Sequence, residues 1–333
     1  MDNKHLPENK PNSLIDKRLL GLACASRAGF ILTIALGLAG GALTVIQALL
    51  LSRAVTRVFL AEQTLRAIAG WMGMLLVVIV LRAILAWGME VTANRVASQV
   101  KQDLRQRLFE HLLALGPRYT RGEETGELTN TATEGIEALD AYFSQYLPQV
   151  ALSALVPITV LVFVFPVEPL SGLVLLLTAP LIPVFMILLG ELADILTRRQ
   201  WQTLSRMSAY FLDTLQGLTA LKILGRGREQ TAKIAHLSEK HRQATMSVLR
   251  VTFLSALSLE LIATLSTALV AVQIGLRLLY GHLSFEQAFF VLILAPEFYL
   301  PLRTLGLRFH AGMAGVAAGA RIFAILEIVY HIY

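Results

Sequence analysis

The sequence predicts an all-α membrane protein with six transmembrane helices and long cytoplasmic helix extensions. Of its 333 residues, 55% are hydrophobic and 16% are charged, whereas soluble domains carry roughly 25% charged residues. The mean hydropathy is +0.62. The apolar residues form six stretches, each close to the ~20 residues that a helix needs to cross about 30 Å of hydrocarbon. Composition and spacing together indicate a multi-pass protein of the lipid bilayer.

The net charge of +6 does not indicate a nucleic-acid-binding protein. Aromatic residues lie inside the apolar stretches instead of alternating with basic residues, as a stacking surface for bases requires. Anionic lipid headgroups are the expected partners of the positive charge. Cys24 is the single cysteine, which excludes an internal disulfide and a cysteine metal cluster. The histidines form no i, i+4 pair, so no metal or haem ligand is assigned.

The six apolar stretches differ in the charges that they contain. The first, third and fourth contain none, the second contains Arg82, the fifth contains Glu260 and the sixth contains Glu297. Little more than Glu168 separates the third stretch from the fourth, which predicts a tight helical hairpin. The predicted spans are residues 28–51, 67–88, 145–167, 169–190, 251–277 and 285–307.

Basic residues predict the orientation of these spans. Six lie between the second and third spans and ten between the fourth and fifth, but only three lie between the first and second. Lys and Arg accumulate on the cytoplasmic side of membrane proteins. We therefore expect a cytoplasmic segment at residues 1–27, a membrane domain at 28–327 and a cytoplasmic tail at 328–333. The expected location is the inner (cytoplasmic) membrane, and the polar N-terminus does not resemble a cleaved signal peptide.

The two cytoplasmic connections are each about sixty residues long. A loop of this length without its own structure is uncommon. Apolar residues such as Val96, Val100 and Leu104 recur at helical spacing, and glycines mark a turn in each connection, at 116–126 and 217–227. Spans two to five are thus predicted to continue as helices into the cytoplasm and to form two elbows.

These features carry a resemblance to a known family. The chain resembles the transmembrane domain of a type I exporter-fold ABC transporter, in particular the D subunit of the heterodimeric exporter needed for cytochrome bd assembly. The resemblance covers nearly the whole chain. The motifs that carry it are TGELTNTATEGIEAL (125–139), YFSQYLPQVALSALVPI (142–158), TAPLIPVFMILLG (178–190), LQGLTALKILGRGRE (215–229) and LILAPEFYLPLRTLG (292–306).

The resemblance implies a second exporter subunit as heterodimer partner and nucleotide-binding domains that bind ATP and Mg²⁺. It also implies a small-molecule cargo, with cysteine, glutathione and haem as the cargo associated with the family. The two elbows are then expected to dock on the ATPase domains. The elbow residues expected to do so are Gly126, Glu127 and Leu128 in the first and Asp213, Leu215 and Leu218 in the second.

The sequence itself contains no G-x-x-x-x-G-K-[ST] phosphate loop. The glycine-rich segment 225–230 lacks the lysine and hydroxyl residue of such a loop, so we interpret it as a turn after a helix. The ATPase is therefore expected from a domain outside this sequence. An excised domain, a truncated product and half of a transporter all remain open, as do a non-transporting scaffold and an exporter of lipid or drug cargo.

Glu297 lies near the predicted middle of the bilayer, next to Pro296. A charge at this depth is costly and normally faces a bundle interior or a water-filled cavity. One interpretation is that Glu297, Tyr299 and Arg303 line a translocation cavity. The other is that Glu297 is protonated or paired with an arginine and only holds helices together.

Arg82 in the second span and Glu260 in the fifth are further charges within the predicted spans. Each is predicted to line the cavity or to pair with a charge of opposite sign, although Arg82 could equally extend to the cytoplasmic headgroups. Proline removes a backbone donor and can bend a helix, and neighbouring helices can also accommodate it. The candidate bends for a gating motion are Pro180, Pro183, Pro296 and Pro301.

Overall fold

The computed structural model describes residues 18–19, 21, 27–60, 65–122 and 131–327, and the regular structure in these residues is helical. Six helical stretches are long and apolar enough to cross a membrane. The predicted all-α, six-span membrane fold is therefore confirmed. The main helices are α1 (Arg27–Phe59), α2 (Leu65–Gly122), α3 (Thr131–Val167), α4 (Pro169–Thr178), α5 (Leu181–Gln216), α6 (Leu218–Ile223), α7 (Gly227–Leu279) and α8 (Phe285–Leu326).

Several helices are much longer than a bilayer is thick. Helix α2 has 58 residues and α7 has 53, so at about 1.5 Å per residue each is more than twice the ~30 Å of the hydrocarbon core. The predicted helix extensions are confirmed. In the first elbow, α2 continues through Gly116 and ends at Gly122, within the segment 116–126 for which a turn is predicted. One glycine costs a helix only about 1 kcal/mol, which a long helix tolerates.

The chain divides into two compact units, one formed by residues up to Ala179 and from Thr264 onwards, the other by Pro180–Ala263. Helix α8 lies at the centre of the first unit, where Val291, Leu294 and Phe298 are fully buried. Their spacing of three and four residues places them on one face of the helix. The second unit contains α5, α6 and the first part of α7.

Helices α3 and α8 approach each other closely within the first unit. Helix α3 contains two π-helical turns, and the second begins at Tyr142 and ends at Tyr146. Both tyrosines are buried and lie against glycines of α8. A Cβ atom at Gly312 would overlap the ring of Tyr146, and one at Gly315 would lie 2.5 Å from Cβ of Tyr142. Only glycine fits at these two positions without a shift of the neighbouring helix.

The hairpin predicted between the third and fourth spans is confirmed. Helix α3 ends at Val167 and α4 begins at Pro169, so Glu168 alone connects them, with φ −150° and ψ 89°. Proline is favoured at the first position of a helix because the N–H that it lacks would have no helical partner there.

A contact joins the start of the described chain to the end of α8. Nη1 of Arg18 lies 2.6 Å from Oε1 of Glu327, and its guanidinium lies over the ring of Phe323. Leu19 is buried against Gly319. Residues that precede the first span and residues that follow the sixth span thus meet at one end of the first unit.

Candidate functional site

Three helices of the first unit contribute polar side chains to one cluster within the spans. Nη2 of Arg82, on α2, donates a hydrogen bond of 3.0 Å to Oε2 of Glu297, on α8. Nη1 of the same guanidinium donates to Oε1 of Gln47, on α1, at 3.1 Å. We call Gln47, Arg82 and Glu297 the polar cluster. The pairing of Glu297 with an arginine, one of the possibilities considered from the sequence, is present in the structure.

The polar cluster is open on one side. About a third of each charged side chain is exposed, 32% for Arg82 and 31% for Glu297, while Phe298 next to Glu297 is fully buried. Ionisable groups within a membrane face a bundle interior or water, because lipid gives them no partners. The open side therefore faces water or another protein surface, and the paired charges make the cluster neutral as a whole.

The other residues predicted for the cavity lie elsewhere. Tyr299 is buried, and its hydroxyl lies 2.6 Å from Oγ1 of Thr178 on α4. In this conformation Tyr299 is a core residue. Arg303 is half-buried further along α8, and Glu260 is exposed on the part of α7 that belongs to the second unit. A cavity role for these three residues stays a prediction.

The four prolines occupy different helical positions. Pro180 lies in the turn between the end of α4 and the start of α5, and Pro183 lies in the first turn of α5, where a missing N–H is tolerated. Pro296 and Pro301 lie inside α8, which is continuous through both. The carbonyl of Pro301 accepts a hydrogen bond of 2.8 Å from Nε2 of Gln149. A gating bend at these prolines stays a prediction.

The second elbow ends in exposed apolar residues. Asp213 and Leu215 lie in the last turn of α5, and Leu218 begins α6. Gly225 has a φ of +65°, and the amide of Arg226 donates to the carbonyl of Leu221 at 3.1 Å, a glycine cap that ends α6 and reverses the chain. The first-elbow residues Gly126, Glu127 and Leu128 lie outside the described residues. We call the exposed residues Leu215, Leu218, Ile223 and Leu224 the apolar tip.

Sequence reasoning missed a second polar cluster, at the end of the α3–α4 hairpin. Glu168 is buried, and its Oε1 accepts a hydrogen bond from Nε2 of Gln273 at 3.3 Å. Its Oε2 lies 3.4 Å from Nε of Arg277, and Ser171 donates to Oε1 of Gln273 at 3.2 Å. The hairpin is thereby bound to the last turns of α7. A lone acid in a short connection is normally solvated, so no sequence pattern indicated this cluster.

The long helices and their six apolar stretches define a multi-pass, all-α membrane protein. The family that describes the ABC transporter transmembrane region matches residues 30–298, and the chain belongs to this family. The resemblance to a D subunit that was expected from the sequence is also confirmed, because relatives named CydD match most of the chain.

The relatives are named as glutathione/L-cysteine transport system ATP-binding/permease proteins. The chain is 37% identical over 283 residues to CydC of Bacillus subtilis, which covers 85% of this chain and 50% of that protein. It is 38% identical over 259 residues to CydD of Haemophilus influenzae, with 75% and 44% covered. It is 36% identical over 300 residues to CydD of Escherichia coli, with 88% and 51% covered. The chain thus spans about half the length of these relatives.

Proposed function

We propose that this chain is the membrane subunit of an ATP-driven exporter that moves cysteine or glutathione out of the cytoplasm. The apolar tip is the observation that carries this proposal. Leu218 is 56% exposed and Ile223 is 80% exposed, and both follow the end of the long helix α5. Exposed apolar residues grouped on one surface mark an interaction site, and an ATPase domain is the partner that the family requires there.

The proposed mechanism is alternating access. ATP and Mg²⁺ bind at nucleotide-binding domains outside this sequence, and their closure pushes the elbows. Long helices such as α2 and α7 transmit this movement to the spans. A second six-helix subunit completes the cavity in a heterodimer, and the solute is released on the outer side. The names of the CydC and CydD relatives support cysteine or glutathione as cargo.

Uptake into inverted membrane vesicles tests this function. Vesicles that contain this chain, its partner subunit and the ATPase domains should accumulate labelled glutathione or cysteine when ATP is supplied. A non-transporting scaffold would give no ATP-dependent uptake of any solute. Haem, a lipid and a drug, offered in the same assay, separate the alternative cargoes.

We further propose that the chain lies in the inner membrane with both termini in the cytoplasm. The excess of basic residues in the long connections supports this orientation. The 2.6 Å contact of Arg18 with Glu327 supports the location of both ends of the membrane domain on the same side of the membrane.

Thiol labelling of intact cells should report this orientation. After replacement of Cys24, a cysteine at Gly122 or Gly225 is expected to be protected from an impermeant thiol reagent added outside. A cysteine at Gly281, in the connection between α7 and α8, is expected to react. Permeabilised cells serve as the control, because all three positions should then be labelled. Labelling of Gly225 but not Gly281 in intact cells would reverse the orientation.

A charge in the apolar tip should uncouple transport from ATP hydrolysis. The substitution Leu218→Asp places a carboxylate in the proposed apolar contact, so solute-stimulated ATPase activity of the assembled transporter should fall several-fold. Membrane insertion should be unchanged, because the exposed side chain stabilises no core. Thr231→Asp is the matched control, since it adds the same charge at an exposed position on the first turns of α7, outside the apolar tip. Equal coupling in both variants would contradict the docking role.

A further inference from the structure

The polar cluster combines two opposite charges with one open side. Arg82 and Glu297 are 3.0 Å apart, and each is about two-thirds buried. Their charges cancel, so the empty cluster places no net charge within the membrane. Gln47 holds the second nitrogen of the guanidinium, which keeps Arg82 in position when Glu297 moves away from it.

A ligand that binds here must separate Arg82 from Glu297, and it must then supply each of them with a new counter-charge. A carboxylate on the ligand would pair with Arg82, for which the planar guanidinium is well suited. The same ligand must then offer a cation to Glu297, because removing one partner of a buried pair leaves an uncompensated charge. An ammonium and a carboxylate attached to the same carbon atom meet both demands, and the loaded cluster is again neutral.

We propose that the polar cluster binds the dipolar α-amino-acid group of the transported solute, its carboxylate on Arg82 and its ammonium on Glu297. This inference rests on the proposed function and names the part of the cargo that the site recognises. The thiol or the rest of a peptide lies beyond the two charges. Lipid tails and solutes with a single charge are disfavoured at this site for the same electrostatic reason.

A second Arg–Glu pair of the first unit provides a matched control. Nε of Arg53 lies 3.0 Å from Oε1 of Glu286, and each side chain is 42% exposed. This pair joins the end of α1 to the first turn of α8, at the end of the spans and not within them. Its N–O distance equals that of the Arg82–Glu297 pair. Because it lies at the end of the spans, it should contribute nothing to recognition of the solute.

The test measures ATP-dependent uptake into inverted vesicles that contain the complete transporter. Three thiols compete with labelled L-cysteine: unlabelled L-cysteine with both charges, cysteamine with the ammonium only, and 3-mercaptopropionate with the carboxylate only. The wild type should prefer L-cysteine to each single-charge thiol by at least about tenfold, the effect of one charged hydrogen bond.

Variants then assign the preference to the two side chains. Glu297→Gln should reduce the affinity for L-cysteine and raise that for 3-mercaptopropionate, because the bound carboxylate then leaves no unpaired charge, and Arg82→Gln should raise the affinity for cysteamine in the same way. The double variant Arg82→Gln/Glu297→Gln buries no unpaired charge and so remains folded. It should lose the preference altogether, while Glu286→Gln should keep the full preference.

The outcomes separate the inference from the function on which it rests. Wild-type uptake without preference among the three thiols, or a preference retained in the double variant, overturns the inference and leaves the proposed function in place. Absence of ATP-dependent uptake of any thiol or of glutathione by the wild type removes the proposed function, and the inference with it.

Discussion

Replacing Glu297 by glutamine should destabilise the membrane domain by about 3 kcal/mol. The substitution keeps the shape of the side chain but leaves the Arg82 guanidinium without a counter-charge. Breaking a buried ion pair costs roughly 3–5 kcal/mol, and we expect the lower end because about a third of each side chain is exposed (32% and 31%). Thermal unfolding of the purified transporter in detergent measures the loss, and uptake of solute should fall in parallel.

Neutralising the partner should restore stability. The double variant Arg82→Gln/Glu297→Gln has no uncompensated charge, so its unfolding temperature should return close to that of the wild type. If Glu297→Gln unfolds normally but transports poorly, the carboxylate acts on the solute and does not stabilise the fold. If both stability and transport are normal, neither role of Glu297 holds.

A single methyl group at Gly312 should also have a large effect. The Cβ of Gly312→Ala would overlap the ring of Tyr146, which is buried in the contact between α3 and α8. An aromatic ring in a close-packed interior cannot move aside without shifting the helix that carries it. Overpacking typically costs about 1–3 kcal/mol, and we expect about 3 kcal/mol here. The yield of assembled protein and its thermal unfolding report the effect.

Gly40→Ala is the matched control for this prediction. Gly40 lies within α1, and a Cβ atom there would meet no atom within 4 Å. Alanine favours a helix over glycine by up to about 1 kcal/mol, so this variant should be as stable as the wild type or slightly more so. Equal stability of the two variants would show that α3 can shift away from α8 at little cost.

Much of the fold could be predicted because its main signals are local. A charge-free stretch of about twenty residues specifies a span by itself, and Glu168 with Pro169 specifies the tight connection between α3 and α4. The long helices followed from apolar residues at helical spacing. The residue at which α2 ends within 116–126 was less predictable, because a glycine such as Gly116 weakens a helix without having to end it.

The candidate site depended on contacts that sequence spacing does not contain. Arg82 and Glu297 are 215 residues apart, and only the relative rotation of α2 and α8 brings them together. The grouping of Glu297 with Tyr299 in a cavity could have been questioned from spacing alone. Residues two apart on a helix do not share a face, and Tyr299 accordingly faces the core while Glu297 faces the polar cluster.

The one-residue connection at Glu168 restricts how the protein can open at that end. No slack exists between α3 and α4 there, and the contacts of Glu168 with Gln273 and Arg277 attach α7 to the same pair. Arg53 and Glu286 join α1 to α8 independently. At this end, polar contacts therefore join α7 to the α3–α4 pair and, separately, α1 to α8. A movement that draws α7 away from the α3–α4 pair at this end must first break the contacts of the buried Glu168.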